Sequence, residues 1–213
     1  MRYNPNRNGR LTLNEKNCIL SFGHWTPSPQ SRTHSAADAL LQSIDLAVEA
    51  ERLGMDGAYF RVHHFARQLA SPFPLLAAVG AKTQNIEIGT AVIDMRYENR
   101  HYMAEDAGAA DLIAGGRLQL GISRGSPEQV IEGWRYFGHR PMECEDDADM
   151  GRRHAEEFSN CCAATTSLSR THVPCFPIRQ GCSASNRTPK DCAIVSGGGR
   201  LPTQQPPGPP SSE

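Results

Sequence analysis

The chain has no apolar run long enough to cross a bilayer and no strong charge imbalance. It has 213 residues with a formal net charge of −1, so composition offers no electrostatic footprint for nucleic acid or an anionic membrane surface. The first residues, MRYNPNRNGR, lack the apolar core of a secretory signal, and a cytoplasmic protein is expected. Apolar content is lean at 38%. Seven cysteines are present, but only Cys18 and Cys144 precede residue 160. The other five crowd the C-terminal stretch without CxxC pairs or a Cys/His zinc spacing, which argues against a disulfide framework and a metal site. No GxGxxG lies between the first predicted strand and helix, which weakens a dinucleotide-binding reading. GISRG centres a serine between glycines but lacks the strand-to-helix elbow of a hydrolase nucleophile.

What is present is an alternation of short apolar runs and helical periods. CILSF (18–22), GAYF (57–60), IEIGTAVI (86–93) and RLQLGIS (117–123) read as strands. Between them, Ala36 to Leu53 lines one helix face and stops at Gly54. SPFPLLAAVGAKT (71–83) opens with helix-starting Ser and Pro, and Met103 to Ile113 is closed by Gly115 and Gly116. Asp149 to Phe158 begins a further helix. This order predicts an α/β parallel sheet with right-handed crossovers. Periodicity alone leaves two architectures open, a closed eight-unit barrel or an open doubly wound sheet. From residue 159 to 213 neither period is sustained, and Ser, Thr, Pro, Gly and Cys dominate, so a disordered tail is expected. Residues 1–17 read as a polar N-terminal segment.

Three clusters follow predicted strand ends, where parallel barrels collect catalytic and ligand groups. VHHF supplies His63 and His64, which could exchange protons near neutral pH or simply be packed and exposed structural residues. GTAVIDM has small Gly89 and Ala91, which would let a flat ring approach the backbone but also suit an ordinary buried strand. SRGS places Arg124 beside Ser123 and Ser126, suited to a phosphate or equally to a surface ion pair. Glu105, Asp106 and Asp111 share one helix and read as solvated or capping groups, not a hydrolase pair.

The succession LAVEAERLGMDGAYFRVHHF, SPFPLLAAVGAKTQNIEIGTAVI and ENRHYMAEDAGAADLIAGGRLQLGISRG resembles the luciferase-like monooxygenases over residues 18–158. The resemblance implies a (β/α)8 TIM-barrel type fold, here truncated to about the first four βα units. It implies reduced flavin mononucleotide (FMN) as cofactor, or a deazaflavin in some branches. With molecular oxygen the reduced flavin oxidises a small-molecule substrate, and a flavin reductase supplies the reduced cofactor. His63 matches the histidine implicated in catalysis and His64 its neighbour. Ala91 and Val92 match the segment against the flavin ring, where the family often has a cis peptide. Ser123 and Arg124 match residues near the flavin, with Arg124 directed at the phosphate. Two positions depart from the family pattern, Val62 where Glu is common and Asn99-Arg100 where Asn-Pro is usual.

A half barrel leaves two edge strands unpaired, so a dimer or other self-association is expected. A non-catalytic half-barrel module is the alternative of a different class. Codons for Pro174 to Gly199, and for Asn160 to Ser167, can be chosen so that a one-base offset spells family-like sequence. The tail is therefore expected to be a frame-shifted continuation. Gene sequencing across codons 155–165 should reveal a single-base shift that restores a barrel-like frame; the absence of any such frame refutes the idea.

Overall fold

The structure, a computed structural model, describes residues 16–125, 130–164 and 192–194. Strands β1 (Lys16–Ser21), β2 (Gly57–Phe60), β3 (Glu87–Asp94) and β4 (Leu118–Ser123) alternate with helices α1 (Ala36–Arg52), α2 (Pro72–Lys82), α3 (Arg100–Ile113) and α4 (Asp147–Ala164). A 3-10 helix, Gly133–Phe137, lies between β4 and α4, and a short β5 spans Cys192–Ile194. The sheet order is β4-β3-β2-β1-β5, with every pairing parallel. This is the first four βα units of a barrel. β5 occupies the outer edge of β1, where the last strand of a closed barrel would pair.

Local chemistry explains the elements. Ser35 caps α1 through its side chain while Asp38 returns a bond to the Ser35 N–H, so two otherwise orphaned donors are satisfied. Past α1, Gly54 takes φ +79°, a left-handed turn that sends the chain into β2. α3 begins three residues earlier than the periodicity suggests. Asn99, whose side chain accepts from the His101 and Tyr102 N–H groups, starts it there. The core lies between the sheet and the helices, with Ala58, Phe60, Leu76, Val79, Ile88, Met103 and Leu118 fully or almost fully buried.

The boundaries differ from the sequence reading at both ends. β1 begins at Lys16, inside the expected polar segment, because Lys16 and Asn17 pair with Cys192 and Ala193 of β5, while Lys16 also pairs with Glu87 on β3 and the Asn17 N–H bonds to Asp56. α4 runs beyond Phe158 to Ala164. Cys161 and Cys162 pack against the core together with buried Phe158, so two thiols act as small apolar residues and continue the stripe. Their low-complexity setting hid this. β5 also falls within the expected tail; residues 165–191 and 195–213 lie outside the described residues. Cys18 is buried and disulfide-bonded, which departs from the reading of the cysteines, whereas Cys144 is an exposed free thiol.

At the end of the sheet opposite the strand C-termini, Arg117 ties three elements together. Its guanidinium donates to the carbonyls of Ala114 (2.7 Å), Ile86 (2.8 Å), Gly80 (2.9 Å) and Thr83 (2.9 Å), and to the Thr83 hydroxyl (2.9 Å). Nearby, Glu51 accepts from the N–H groups of Gln84, Asn85 and Ile86. Arg117→Met should leave several of these carbonyls without donors and lower stability by about 2–4 kcal/mol in urea unfolding.

Candidate functional site

Because all strands run the same way, the C-terminal ends of β2, β3 and β4 share one rim. The six residues singled out in the sequence all fall at or next to it. His63 and His64 follow β2, Ala91 and Val92 lie in the second half of β3, Ser123 ends β4, and Arg124 comes directly after it.

β3 carries one residue more than β4 between the paired positions Thr90 and Ile93. Ala91 and Val92 form this irregularity, and their peptide bond is cis. Both are half-buried. Gly89 does not serve as open space for a ring: a Cβ there would lie 2.0 Å from the Gln119 carbonyl oxygen. Its smallness permits strand pairing instead.

The His63 N–H donates to the Leu69 carbonyl at 2.8 Å, which pins the loop after β2. Burial, followed by the nearby Arg61 and His64 charges, holds the His63 imidazole below its ordinary value, with Asp94 opposing. A neutral imidazole ready to accept a proton results. The His64 ring stacks on Tyr97 at 4.7 Å between centroids and meets the edge of Phe137 at 4.8 Å. Its buried Nε2 makes no hydrogen bond among the described residues, and Glu98 Oε1 lies 3.7 Å away. The two histidines thus differ in surroundings, His63 within electrostatic reach of Asp94 and His64 in an aromatic clamp.

The Ser123 hydroxyl donates to the Ile93 carbonyl at 3.3 Å, so it braces β3. Arg124 is exposed, and its guanidinium has no ion pair among the described residues. An exposed guanidinium at a strand end suits an anion such as a phosphate.

Several further rim residues are apparent only in the structure. Asp94 and Arg96 directly follow an apolar run, and their opposite charges were the available signal. Arg96 donates to the Asp94 carboxylate from Nε (3.1 Å) and Nη2 (2.7 Å), and also pairs with Asp147 at the start of α4. His139 and His154 meet edge to face at 4.9 Å. Nothing in their spacing announced this, since the loop between them sets the contact. Arg100, standing where the family pattern has Pro, pairs with Glu157 of α4 at 2.5 Å.

A luciferase-like monooxygenase family model matches residues 20–194. The chain belongs to this family. It is 29% identical over 142 residues to the uncharacterized protein YwcH of Bacillus subtilis (strain 168), covering 66% of this chain and 39% of that protein. It is 27% identical over 141 residues to 4-hydroxyprotoasukamycin monooxygenase of Streptomyces nodosus subsp. asukaensis, covering 65% and 36%. Its fold matches the oxygenating constituent of 3,6-diketocamphane monooxygenase from Pseudomonas putida, solved with FMN. The TM-score is 0.58 at 22% identity, covering 68% of this chain and 38% of that one. The chain therefore spans about two fifths of the length of these relatives.

Among the described residues no helix is long and apolar enough to cross a membrane, and no group of three His, Cys, Asp or Glu could hold a metal ion. His154 is buried and donates from Nδ1 to the Met95 carbonyl at 2.8 Å, which joins α4 to the rim of this family member. Burial holds both His154 and His139 below the ordinary histidine value, and the neighbouring Arg100 and Arg153 act in the same direction. Unfolding restores the ordinary value, so the unfolded chain binds more protons below it, and stability falls as pH drops through about 6.5. The urea midpoint should fall between about pH 7.5 and about pH 5.5, and fall less in His154→Gln.

Proposed function

We propose that the rim described above is the N-terminal half of a flavin site. In the whole protein it serves a monooxygenase that uses reduced FMN and O2 to oxidise a small organic substrate. A separate flavin reductase supplies the reduced flavin. The observation that carries this reading is the convergence of His63, the Ala91–Val92 segment and Arg124 on one rim of a family member. The relatives' names and the FMN-bound fold match support it.

The residues present fit the group. Arg124 offers an exposed guanidinium for the phosphate, and the small Ala91 together with Val92 offers a side-chain-poor surface for a flat ring. Reduced flavin, when bound, supplies the electrons that activate oxygen. His63, neutral at neutral pH, accepts or returns a proton at its imidazole. His64, clamped by Tyr97 and Phe137, shields this side of the rim from water. The Ser123 hydroxyl holds β4 to β3 beneath these groups.

Titration of the purified chain with FMN and with riboflavin, which lacks the phosphate, tests the reading. The chain alone should bind FMN weakly, because further rim groups belong to the remaining length of the relatives, and it should still favour FMN over riboflavin. Arg124→Ala should remove that preference, a loss of about ten-fold or more in FMN affinity. Equal binding of the two flavins by the wild type refutes the phosphate assignment. Tight stoichiometric uptake refutes the weak-binding expectation, and preferential uptake of a deazaflavin would move the cofactor assignment.

A further inference from the structure

Three elements meet at the guanidinium of Arg96, a side chain only 5% exposed. From β3, the Asp94 carboxylate accepts from Nε at 3.1 and 3.2 Å and from Nη2 at 2.7 Å, and Asp94 Oδ1 also accepts from the Arg96 N–H at 3.1 Å. From α4, Asp147 pairs with Nη1. Just past β4, the backbone at Gly125 lies against the same guanidinium. A Cβ at Gly125 would stand 2.9 Å from Arg96 Cζ and 3.0 Å from Nε. Gly125 also has φ +139°, which L side chains rarely adopt, so this position is reserved for glycine twice over.

α4 closes on the same point. A Cβ at Gly151 would stand 2.9 Å from the Arg124 carbonyl oxygen, 3.1 Å from Arg124 Cα and 3.1 Å from Arg96 Cγ. The Met95 N–H donates to the Ser123 carbonyl at 2.9 Å, which fixes the preceding residue of β4. The backbone at Arg124 is thus held between the Arg96 side chain and the Gly151 face of α4, while the Arg124 side chain points into solvent as an exposed group.

We infer that Arg96 is a positioning residue for Arg124: its ion pairs to Asp94 and Asp147 form a brace that fixes the Arg124–Gly125 backbone and so aims the exposed guanidinium at a phosphate monoester. A donor fork and a flat face explain the choice of arginine. The fork satisfies a carboxylate on β3 and one on α4 at once, and its flat side accepts a glycine backbone at van der Waals distance. Lysine, a point charge on a flexible stem, offers neither. That the phosphate is that of a flavin rests on the functional reading above; the brace itself does not.

Amide hydrogen exchange and flavin titration on the full chain test this together. In Arg96→Met the amides of Ser123, Arg124 and Gly125 should exchange at least about ten-fold faster, while those of Ala58 and Ile88 in the sheet core hold their rates. Arg96→Lys should behave like Arg96→Met, and Asp147→Asn should give a smaller effect in the same direction. FMN affinity should fall by about ten-fold in Arg96→Met with riboflavin affinity unchanged, and Arg124→Ala should add little further loss in the double variant. Unchanged exchange at residues 123–125 overturns the brace, as does a core that loosens equally. Equal losses for FMN and riboflavin, or losses that add with Arg124→Ala, overturn the link to Arg124. If the wild type does not prefer FMN to riboflavin, the flavin reading fails, and the exchange result alone decides the brace.

Discussion

Every described strand runs in the same direction, and the rest of the structure depends on that constraint. Parallel pairing forces each connection back across the sheet, so a helix must follow each strand and bury its apolar stripe on the same face. It also brings every strand's C-terminal end to one edge. Groups separated by more than sixty residues in sequence, from His63 to Arg124, come to one rim without any local signal to place them there.

The rim is divided between two kinds of chemistry. On the β2 side aromatic rings enclose His64, and burial keeps His63 neutral. On the β4 side charged groups dominate, with the carboxylates of Asp94 and Asp147 around Arg96 and the ion pairs of Arg100 and Arg153 along α4. These paired charges are supports for the backbone. Arg124 differs from them in being exposed and without an ion pair among the described residues, which is what makes it the candidate ligand group. α4 reaches the ends of β3 and β4 through Asp147, Gly151 and His154, so a helix outside the sheet holds that part of the rim in shape.

Much of the scaffold was legible in the chain. GAYF is a strand at the residues expected, and the helices after β1 and β2 end within a residue of their expected limits, because apolar period and glycine stops are local properties. Apolar spacing misses the first three residues of α3 because that turn, RHY, is polar; the Asn99 cap starts it. At its C-terminal end α4 runs six residues past Phe158, because cysteine there serves as a small apolar residue and not as a tail residue. The Ser123 hydroxyl bonds across to β3, a contact between strands that no local spacing announces.

The chain by itself determined the alternation of strands and helices, the family resemblance, and the identity of the residues at the strand ends. Local spacing and side-chain chemistry suffice for those. Which of these residues share a site, which carboxylates neutralise Arg96, and how Gly125 and Gly151 let β4 and α4 close on it were decided only by the tertiary structure. Ion pairs and close backbone contacts join positions far apart in sequence, and no local pattern encodes their distance. Arg124 could be named from the chain; the brace behind it could only be seen once the sheet and α4 were packed together.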